Sequence, residues 1–266
     1  METRPYGACA FFERIDFCME KELKILYLYP DILDLYGDIG NIKVLSYRLE
    51  KRGIKAIVDT YSIGEDKPDF KSYDIVFSGG GADNEQKILS DDLIRFKDDI
   101  KEAVSSGVFF LLICGSYQLF GKYYKGVEGN IIPGLEVFDY YTEANPDRAK
   151  RCIGNIIIET VLDGDRVKVI GFENHGGQTF GIDRCFGKVL YGNGNKFNDS
   201  DEGFMRDNVI ATYLHGPLLS KNPELTDYIL KKCLKRKYNE DIEFEKLDDE
   251  FEILCRKQLF ERFLGK

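Results

Sequence analysis

The stretch VFFLLICGSYQLFGKYY, residues 108–124, decides how this chain folds. Its first half is a short, fully apolar run, which is typical of a strand buried on both faces of a parallel sheet. The run stops at Cys114, Gly115 follows at once, and a short amphipathic segment comes next. A cysteine at a sharp strand-to-helix turn is either a packed thiol or an exposed nucleophile. The stretch alone leaves both interpretations open.

On the N-terminal side of this stretch, strand-like and helix-like segments alternate. In chain order they are strand 23–29, helix 41–53, strand 54–60, strand 73–83 and helix 84–107, with a break expected near Ser90. Such a β-α-β order predicts an α/β fold with a mainly parallel central sheet and helices on both faces.

The second half has shorter, alternating segments. Segments 152–160 and 166–174 predict an antiparallel pair, and segment 208–216 predicts a buried strand that ends at His215. A helix should begin with Asn222 as its cap and Pro223 at its first position. We therefore expect a few antiparallel strands beside the parallel sheet, followed by C-terminal helices.

Length, composition and charge limit which classes of protein this chain can belong to. The chain has 266 residues, 43% hydrophobic and 31% charged, with a net charge of −9. This fits one large α/β domain over residues 23–266, while residues 1–22 lack periodicity and are predicted to be an extension. An acidic chain is a poor partner for nucleic acid. With no apolar run of bilayer length and no signal-peptide core, we expect a cytoplasmic protein without membrane insertion.

The numbers and spacing of cysteines and histidines argue against a metal site and against a fold held together by disulfides. Seven cysteines are scattered without a C-x-x-C pair, and there are only two histidines, so we predict no metal site. Most of these thiols are expected to be small buried hydrophobes.

Three predicted apolar strands end in residues that could take part in catalysis, namely Gly79–Gly81, Cys114 and His215. The carboxyl ends of parallel strands share one edge of a sheet, so these residues should converge. Histidine is the usual base for a cysteine nucleophile, and backbone N–H groups at glycines bind oxyanions. The pattern favours acyl transfer through a thioester. His175, in FENHGG, is a rival base, and His215 is favoured for its buried strand and following turn.

Four stretches, in this order, resemble the class I glutamine amidotransferases of the cobyric-acid-synthase-like branch: GGGADNEQ, ICGSYQLFGKYY, GFENHGGQT and YLHGPLLSKNPELTDYIL. Two others, LYPDILDLYGDIGNIKVLSYRLEKRGI and YYTEANPDRAKRCIGNIIIET, are similar more narrowly to the glutaminase subunits of lipid II isoglutaminyl synthases. The resemblance runs from about Leu23 to the C-terminus. It implies a flavodoxin-like class I glutamine amidotransferase domain.

The resemblance also implies the reaction and its partner. Glutamine would be hydrolysed to glutamate and ammonia, and the ammonia would pass to a Mur-ligase-like synthase subunit in a heterodimer. That partner would use ATP and Mg²⁺ to amidate D-glutamate of the membrane-bound lipid II precursor, so no cofactor is expected in this chain.

By position, the resemblance makes Cys114 the nucleophile and His215 its base. The amides of Gly80 and Gly115 become candidates for the oxyanion hole, and Gln118 the residue that holds the substrate.

Arg151 takes the place of a family arginine for the substrate carboxylate, although Arg148 is close by. The sequence departs from the wider class at Pro217, where many members carry a glutamate that orients the histidine. Asp38 and Glu173 are the candidates for such an orienting acid.

Other functions remain compatible with these residues. One is a cysteine hydrolase or peptidase on the same fold. Another is a glutaminase subunit that serves a different ATP-dependent amidation, such as cobyric-acid-type synthesis. A third is a binding subunit without catalysis. Glutamine turnover separates the first and third from the leading hypothesis.

Overall fold

A six-stranded sheet forms the centre of the computed structural model, which describes residues 21–81 and 83–265. In chain order the strands are β1 (Glu22–Leu28), β2 (Lys55–Tyr61), β3 (Ile75–Ser78), β4 (Phe109–Ile113), β5 (Tyr123–Lys125), β6 (Ile131–Pro133), β7 (Tyr141–Ala144), β8 (Cys152–Leu162), β9 (Asp165–His175), β10 (Gly177–Phe180), β11 (Gly187–Tyr191), β12 (Asp201–Glu202), β13 (Phe204–Arg206) and β14 (Val209–Thr212). The six-stranded sheet has the order β13-β14-β4-β3-β1-β2, and every neighbouring pair in it is parallel except β13 with β14. The predicted mainly parallel sheet is confirmed.

The helices lie between strands in the chain or follow the last strand. They are α1 (Ile39–Glu50), α2 (Asp83–Leu93), α3 (Lys97–Ser105), α4 (Gly115–Leu119), α5 (Pro223–Tyr238) and α6 (Glu250–Leu264). From β1 the chain moves through α1 to β2, whereas from β3 it moves in the opposite direction through α2 and α3 to β4. Because crossovers are right-handed, these helices cover opposite faces. The reversal leaves a crevice at the carboxyl ends of β1 and β3, which is where such folds bind ligands.

The uninterrupted apolar runs of the sequence correspond to strands in the buried centre of the sheet. Strands β3, β4 and β14 are buried along their whole length. A strand covered by helices on both faces has no solvent-facing side, so its sequence does not alternate.

The predicted helical break was wrong in position. Ser90 lies inside α2, where its hydroxyl donates to the Lys87 carbonyl at 3.0 Å. The chain instead tightens into a 3₁₀ turn at Ile94–Phe96, which places the Phe96 ring in the core.

Two four-stranded sheets make up much of the second half, in the orders β10-β7-β5-β6 and β12-β11-β8-β9. β8 and β9 pair in antiparallel register from Cys152 opposite His175 to Leu162 opposite Asp165, which confirms the predicted pair. β14 is shorter than predicted, since it ends at Thr212. His215 lies three residues further on and forms an isolated antiparallel bridge with Phe172 of β9.

Asn222 is the N-cap residue of α5, as predicted, but its side chain does not cap the helix. Its Oδ1 accepts from the Ile170 amide at 3.0 Å, and its Nδ2 donates to the carbonyls of Ile170 and Leu218. The residue therefore ties β9 to the loop that follows His215.

The predicted extension 1–22 falls largely outside the described residues, which begin at Lys21. Glu22 is the first residue of β1, one position before the predicted start of the domain. None of the helices within residues 21–81 and 83–265 has the length and apolar character required to cross a membrane.

Candidate active site

Cys114 occupies a strained turn between β4 and α4. Its backbone has φ 50° and ψ −101°, and its amide donates to the Thr212 carbonyl of β14 at 2.8 Å. A non-glycine residue with such a backbone costs energy and persists only where the surrounding structure imposes it. The sulfur-bearing side chain lines a cavity of about 760 Å³, within the usual size of ligand sites.

The glycine run, Cys114 and His215 converge as the strand order predicted. A Cβ built on Gly80 would lie 2.5 Å from His215 Cε1 and 3.3 Å from Cys114 Cβ. His215 has no exposed surface. Burial by itself lowers its pKa, but the Cys114 thiolate and the Asp38 carboxylate outweigh burial and raise the pKa of His215 to about 10. At neutral pH the His215 imidazole is therefore protonated beside the Cys114 side chain.

Asp38 is the acid that lies beside this histidine. Its Oδ2 is 3.3 Å from His215 Nδ1 and also accepts from the Gly80 amide at 2.8 Å. Asp38 is fully buried at the N-terminus of α1, in the crevice where the direction of the crossovers reverses. It therefore has the geometry to hold the imidazole ring in place.

Glu173, the other candidate acid, lies elsewhere. Its carboxylate accepts from the backbone amide and side chain of Asn193, at 2.8 and 2.9 Å, and from the Gly194 amide at 3.0 Å. Its nearest histidine is His175, whose Nε2 is 3.8 Å away. The structure does not bring Glu173 to His215.

The rival base, His175, is engaged with a different cluster. Its ring stacks on Tyr213, with centroids 3.6 Å apart and planes 6° apart, and its Nδ1 is 2.7 Å from the Gly177 carbonyl oxygen. With Cys152 and Glu173 it forms a buried group whose possible metal-ligand atoms lie within 4.8 Å of one another. No residue of that group is the predicted nucleophile, and the predicted absence of a metal site stays a prediction.

The predicted oxyanion donors differ in their surroundings. The Gly80 amide is already a donor to Asp38 at 2.8 Å, so serving an oxyanion would require that bond to open. Gly115 is the first residue of α4 and directly follows Cys114, so its amide N–H lies at the N-terminus of that helix. Both roles stay predictions.

Gln118 is almost fully buried, and both ends of its amide are engaged. Its Oε1 accepts from Gln86 Nε2 at 2.9 Å, and its Nε2 donates to the Tyr213 hydroxyl at 3.1 Å. It lines the same cavity as Cys114, within a network of protein amides and hydroxyls, and its predicted role as the residue that holds the substrate stays a prediction. Gln86 and Tyr213 had not been predicted as site residues.

The mouth of the cavity carries two arginines, Arg148 and Arg151. The Arg151 Nε donates to Asn174 Oδ1 at 3.0 Å, and the Asn174 amide in turn bonds the Tyr36 hydroxyl. The Tyr36 ring contacts His215 edge-on, with centroids 5.0 Å apart. This chain of contacts joins a guanidinium suited to a carboxylate to the buried histidine.

Comparisons with known proteins agree with this geometry. The profile of the CobB/CobQ-like glutamine amidotransferase domain matches residues 24–223. The GatD subunit of lipid II isoglutaminyl synthase (glutamine-hydrolyzing) from Staphylococcus aureus strain N315 is 42% identical over 244 residues, which cover 91% of this chain and 96% of that protein. The subunit of the same name from Streptococcus pneumoniae strain ATCC BAA-255 / R6 is 41% identical over 230 residues, 86% of each chain.

Among solved structures, a chain of PurLQS from Thermotoga maritima superposes with a TM-score of 0.53 at 13% identity. The match covers 84% of this chain and all of that one. At this identity it supports the fold alone. The profile match and the two curated relatives show that the chain belongs to the family of CobB/CobQ-like glutamine amidotransferases.

Proposed function

We propose that this chain is the glutaminase subunit of a lipid II isoglutaminyl synthase. The observation that carries the proposal is Cys114 at a strained turn, with His215 and Asp38 beside it, in the wall of a cavity of about 760 Å³. The names of the two curated relatives support the choice of reaction and complex.

The reaction follows from the roles assigned to the site. The Cys114 thiolate attacks the side-chain carboxamide carbon of glutamine, and the C–N bond of the resulting tetrahedral adduct breaks. The His215 imidazolium gives its proton to the departing nitrogen, which leaves as ammonia. Water, deprotonated by His215, then hydrolyses the thioester to glutamate and restores the thiolate. Asp38 keeps the ring oriented throughout.

The cavity mouth suits the other end of the substrate. Arg151 and Arg148 both line it, and a guanidinium binds a carboxylate through parallel hydrogen bonds. We assign the α-carboxylate of glutamine to Arg151, which the Asn174 side chain already orients.

Ammonia has to be consumed by a second subunit. Amide synthesis from a carboxylate requires activation, and the glycine run Gly79–Gly81 is not followed by the lysine of a Walker motif. We assign ATP and Mg²⁺ to a Mur-ligase-like partner in a heterodimer. That partner amidates the D-glutamate of the lipid II stem peptide, on the cytoplasmic side of the membrane.

The test is glutamate release by the chain together with such a partner. Wild type should release glutamate and ammonia, and mass spectrometry should show D-isoglutamine in the stem peptide. Cys114→Ser should lower glutamate release by about 1000-fold or more, while Cys255→Ser, at an exposed thiol, should not change it. No release by wild type, or full activity of Cys114→Ser, would overturn the proposal.

The alternatives predict different results in the same assay. A hydrolase or peptidase would cleave esters or peptides and leave glutamine intact. A glutaminase for cobyric-acid-type synthesis would release glutamate but leave the stem peptide unamidated.

A further inference from the structure

Gln86 is a buried amide in the cavity wall that the mechanism does not use. It lies on α2, is 2% exposed, and lines the cavity with Cys114 and Gln118. Its Nε2 donates to Gln118 Oε1 at 2.9 Å and to the Gly81 carbonyl at 3.3 Å. Its Oε1 has no hydrogen-bond partner within the described part of the chain.

The neighbours of Gln86 determine which way its amide points. The Gly81 carbonyl can only accept, so it requires the nitrogen of Gln86 on its side. Gln118 presents its own oxygen to the same nitrogen, while its Nε2 donates to the Tyr213 hydroxyl. Turning the Gln86 amide over would set its oxygen against two other oxygens. The free atom is therefore the acceptor Oε1, and a buried acceptor without a donor is unfavourable.

The location of Gln86 indicates which part of a substrate it meets. A Cβ on Gly115 would lie 3.0 Å from Gln86 Nε2, whereas a Cβ on Gly80 would lie 2.5 Å from His215 Cε1. The nitrogen that leaves as ammonia must face His215 to be protonated. The hydrogen bonds of Gln86 are to Gly81 and Gln118 rather than to His215, so we assign it to the remainder of the substrate.

In free glutamine the remaining hydrogen-bond donor is the α-ammonium group. We propose that Gln86 Oε1 accepts a hydrogen bond from this ammonium and so determines specificity for free L-glutamine. A carbonyl oxygen bonded to a cation forms a charge-assisted hydrogen bond, which is stronger than a neutral one. With Arg151 on the carboxylate, the cavity would then recognise both charges of the amino acid. This inference rests on the proposed function.

The test compares two substrates that differ only in the α-amino group, L-glutamine and 4-carbamoylbutanoate. In the complex with its partner, Gln86→Met should raise KM for glutamine by about 10-fold or more while kcat changes little, because the contact is made equally in ground and transition states. The ratio of kcat/KM for glutamine to that for 4-carbamoylbutanoate should fall by the same factor. Gln258→Met, at an exposed glutamine of α6, should leave the ratio unchanged.

Binding provides a readout that does not depend on turnover. In the Cys114→Ser chain, calorimetry should show that Gln86→Met weakens glutamine about 10-fold and leaves 4-carbamoylbutanoate as it was. Equal weakening of both ligands, or an unchanged ratio, would overturn the inference, and Gln86→Leu replaces Gln86→Met if that variant does not fold. Failure of wild type to release glutamate would overturn the proposed function instead.

Discussion

At the scale of single residues, the site depends on contacts between side chains far apart in the chain. Asp38 and His215 are separated by 177 positions and meet at 3.3 Å. Cys114 and His215 could be predicted because each follows an apolar strand, and strand ends of a parallel sheet meet at one edge. Asp38 and Glu173 could not be ranked from the sequence, since neither lies at a fixed spacing from the histidine.

Replacing Asp38 tests its role as the orienting acid. Asp38→Asn keeps an oxygen for the Gly80 amide but removes the charge that helps to raise the pKa of His215 to about 10. The imidazolium then loses its proton at lower pH, so the alkaline limb of the kcat profile should move to lower pH. We expect kcat to fall by about 10- to 100-fold.

The measurement is glutamate release between pH 6 and pH 10, with Glu173→Gln as the matched control at the rival acid. A shifted alkaline limb in Glu173→Gln, together with a wild-type profile in Asp38→Asn, would reverse the assignment.

At the scale of elements, the end of β14 determines where His215 lies. The buried carboxylate of Glu202, in β12, accepts from the Thr212 hydroxyl at 2.9 and 3.0 Å and from the Tyr213 amide at 2.7 Å. The pairing of β14 with β4 therefore ends at Thr212, and His215 pairs with Phe172 of β9 instead. The predicted strand ran on to His215 because the apolar pattern continues there, and the pattern carries no information about a carboxylate from another sheet.

Glu202 should make stability depend on pH. Burial raises its pKa from 4.5 to about 8. Between these values the folded chain binds a proton that the unfolded chain has lost, so this stabilisation is fully present below pH 4.5 and is lost as pH rises through 8. One such proton changes the free energy of unfolding by about 1.4 kcal/mol per pH unit. Glu202→Gln, which cannot titrate, should gain stability relative to wild type as pH rises.

Urea unfolding of both proteins at pH 5.5, 6.5 and 7.5 measures this difference. The gap in unfolding free energy should change by roughly 2 kcal/mol over that range. A gap that stays constant with pH would show that Glu202 titrates alike in the folded and unfolded chains.

At the scale of the whole molecule, Arg48 connects three helical regions. It is 4% exposed on α1, and its guanidinium bonds Asp227 of α5 at 2.7 and 2.8 Å and Asp249, the N-cap residue of α6, at 2.5 and 3.1 Å. These hydrogen bonds attach the C-terminal helix α6 to α1 and α5. Few of these contacts can be anticipated from periodicity, because they join residues about 180 to 200 positions apart.

Removing Arg48 should therefore destabilise the fold. Arg48→Met leaves the largely buried Asp249 carboxylate without its cation and leaves Asp227 with Arg52 alone. We expect a loss of about 3 kcal/mol in unfolding free energy. Lys67→Met, which breaks an exposed pair with Asp99, should cost less than about 1 kcal/mol. Thermal and urea unfolding compare the two variants, and equal losses would contradict a special role for Arg48.

The sequence by itself determined the buried strands, the turn at Cys114 and the residues at the strand ends. These follow from local runs of apolar residues and from the glycines beside them, which act over a few positions. The family could also be identified from ordered motifs, and the profile and the curated relatives confirm it.

Only the tertiary structure decided which acid meets His215, which way the Gln86 amide points, and where β14 ends. Each of these depends on the position of a polar atom within about 3 Å of another from a distant segment. Hydrogen bonds are short-ranged and directional, so they are set by the packing of whole elements, which no local pattern in the sequence encodes.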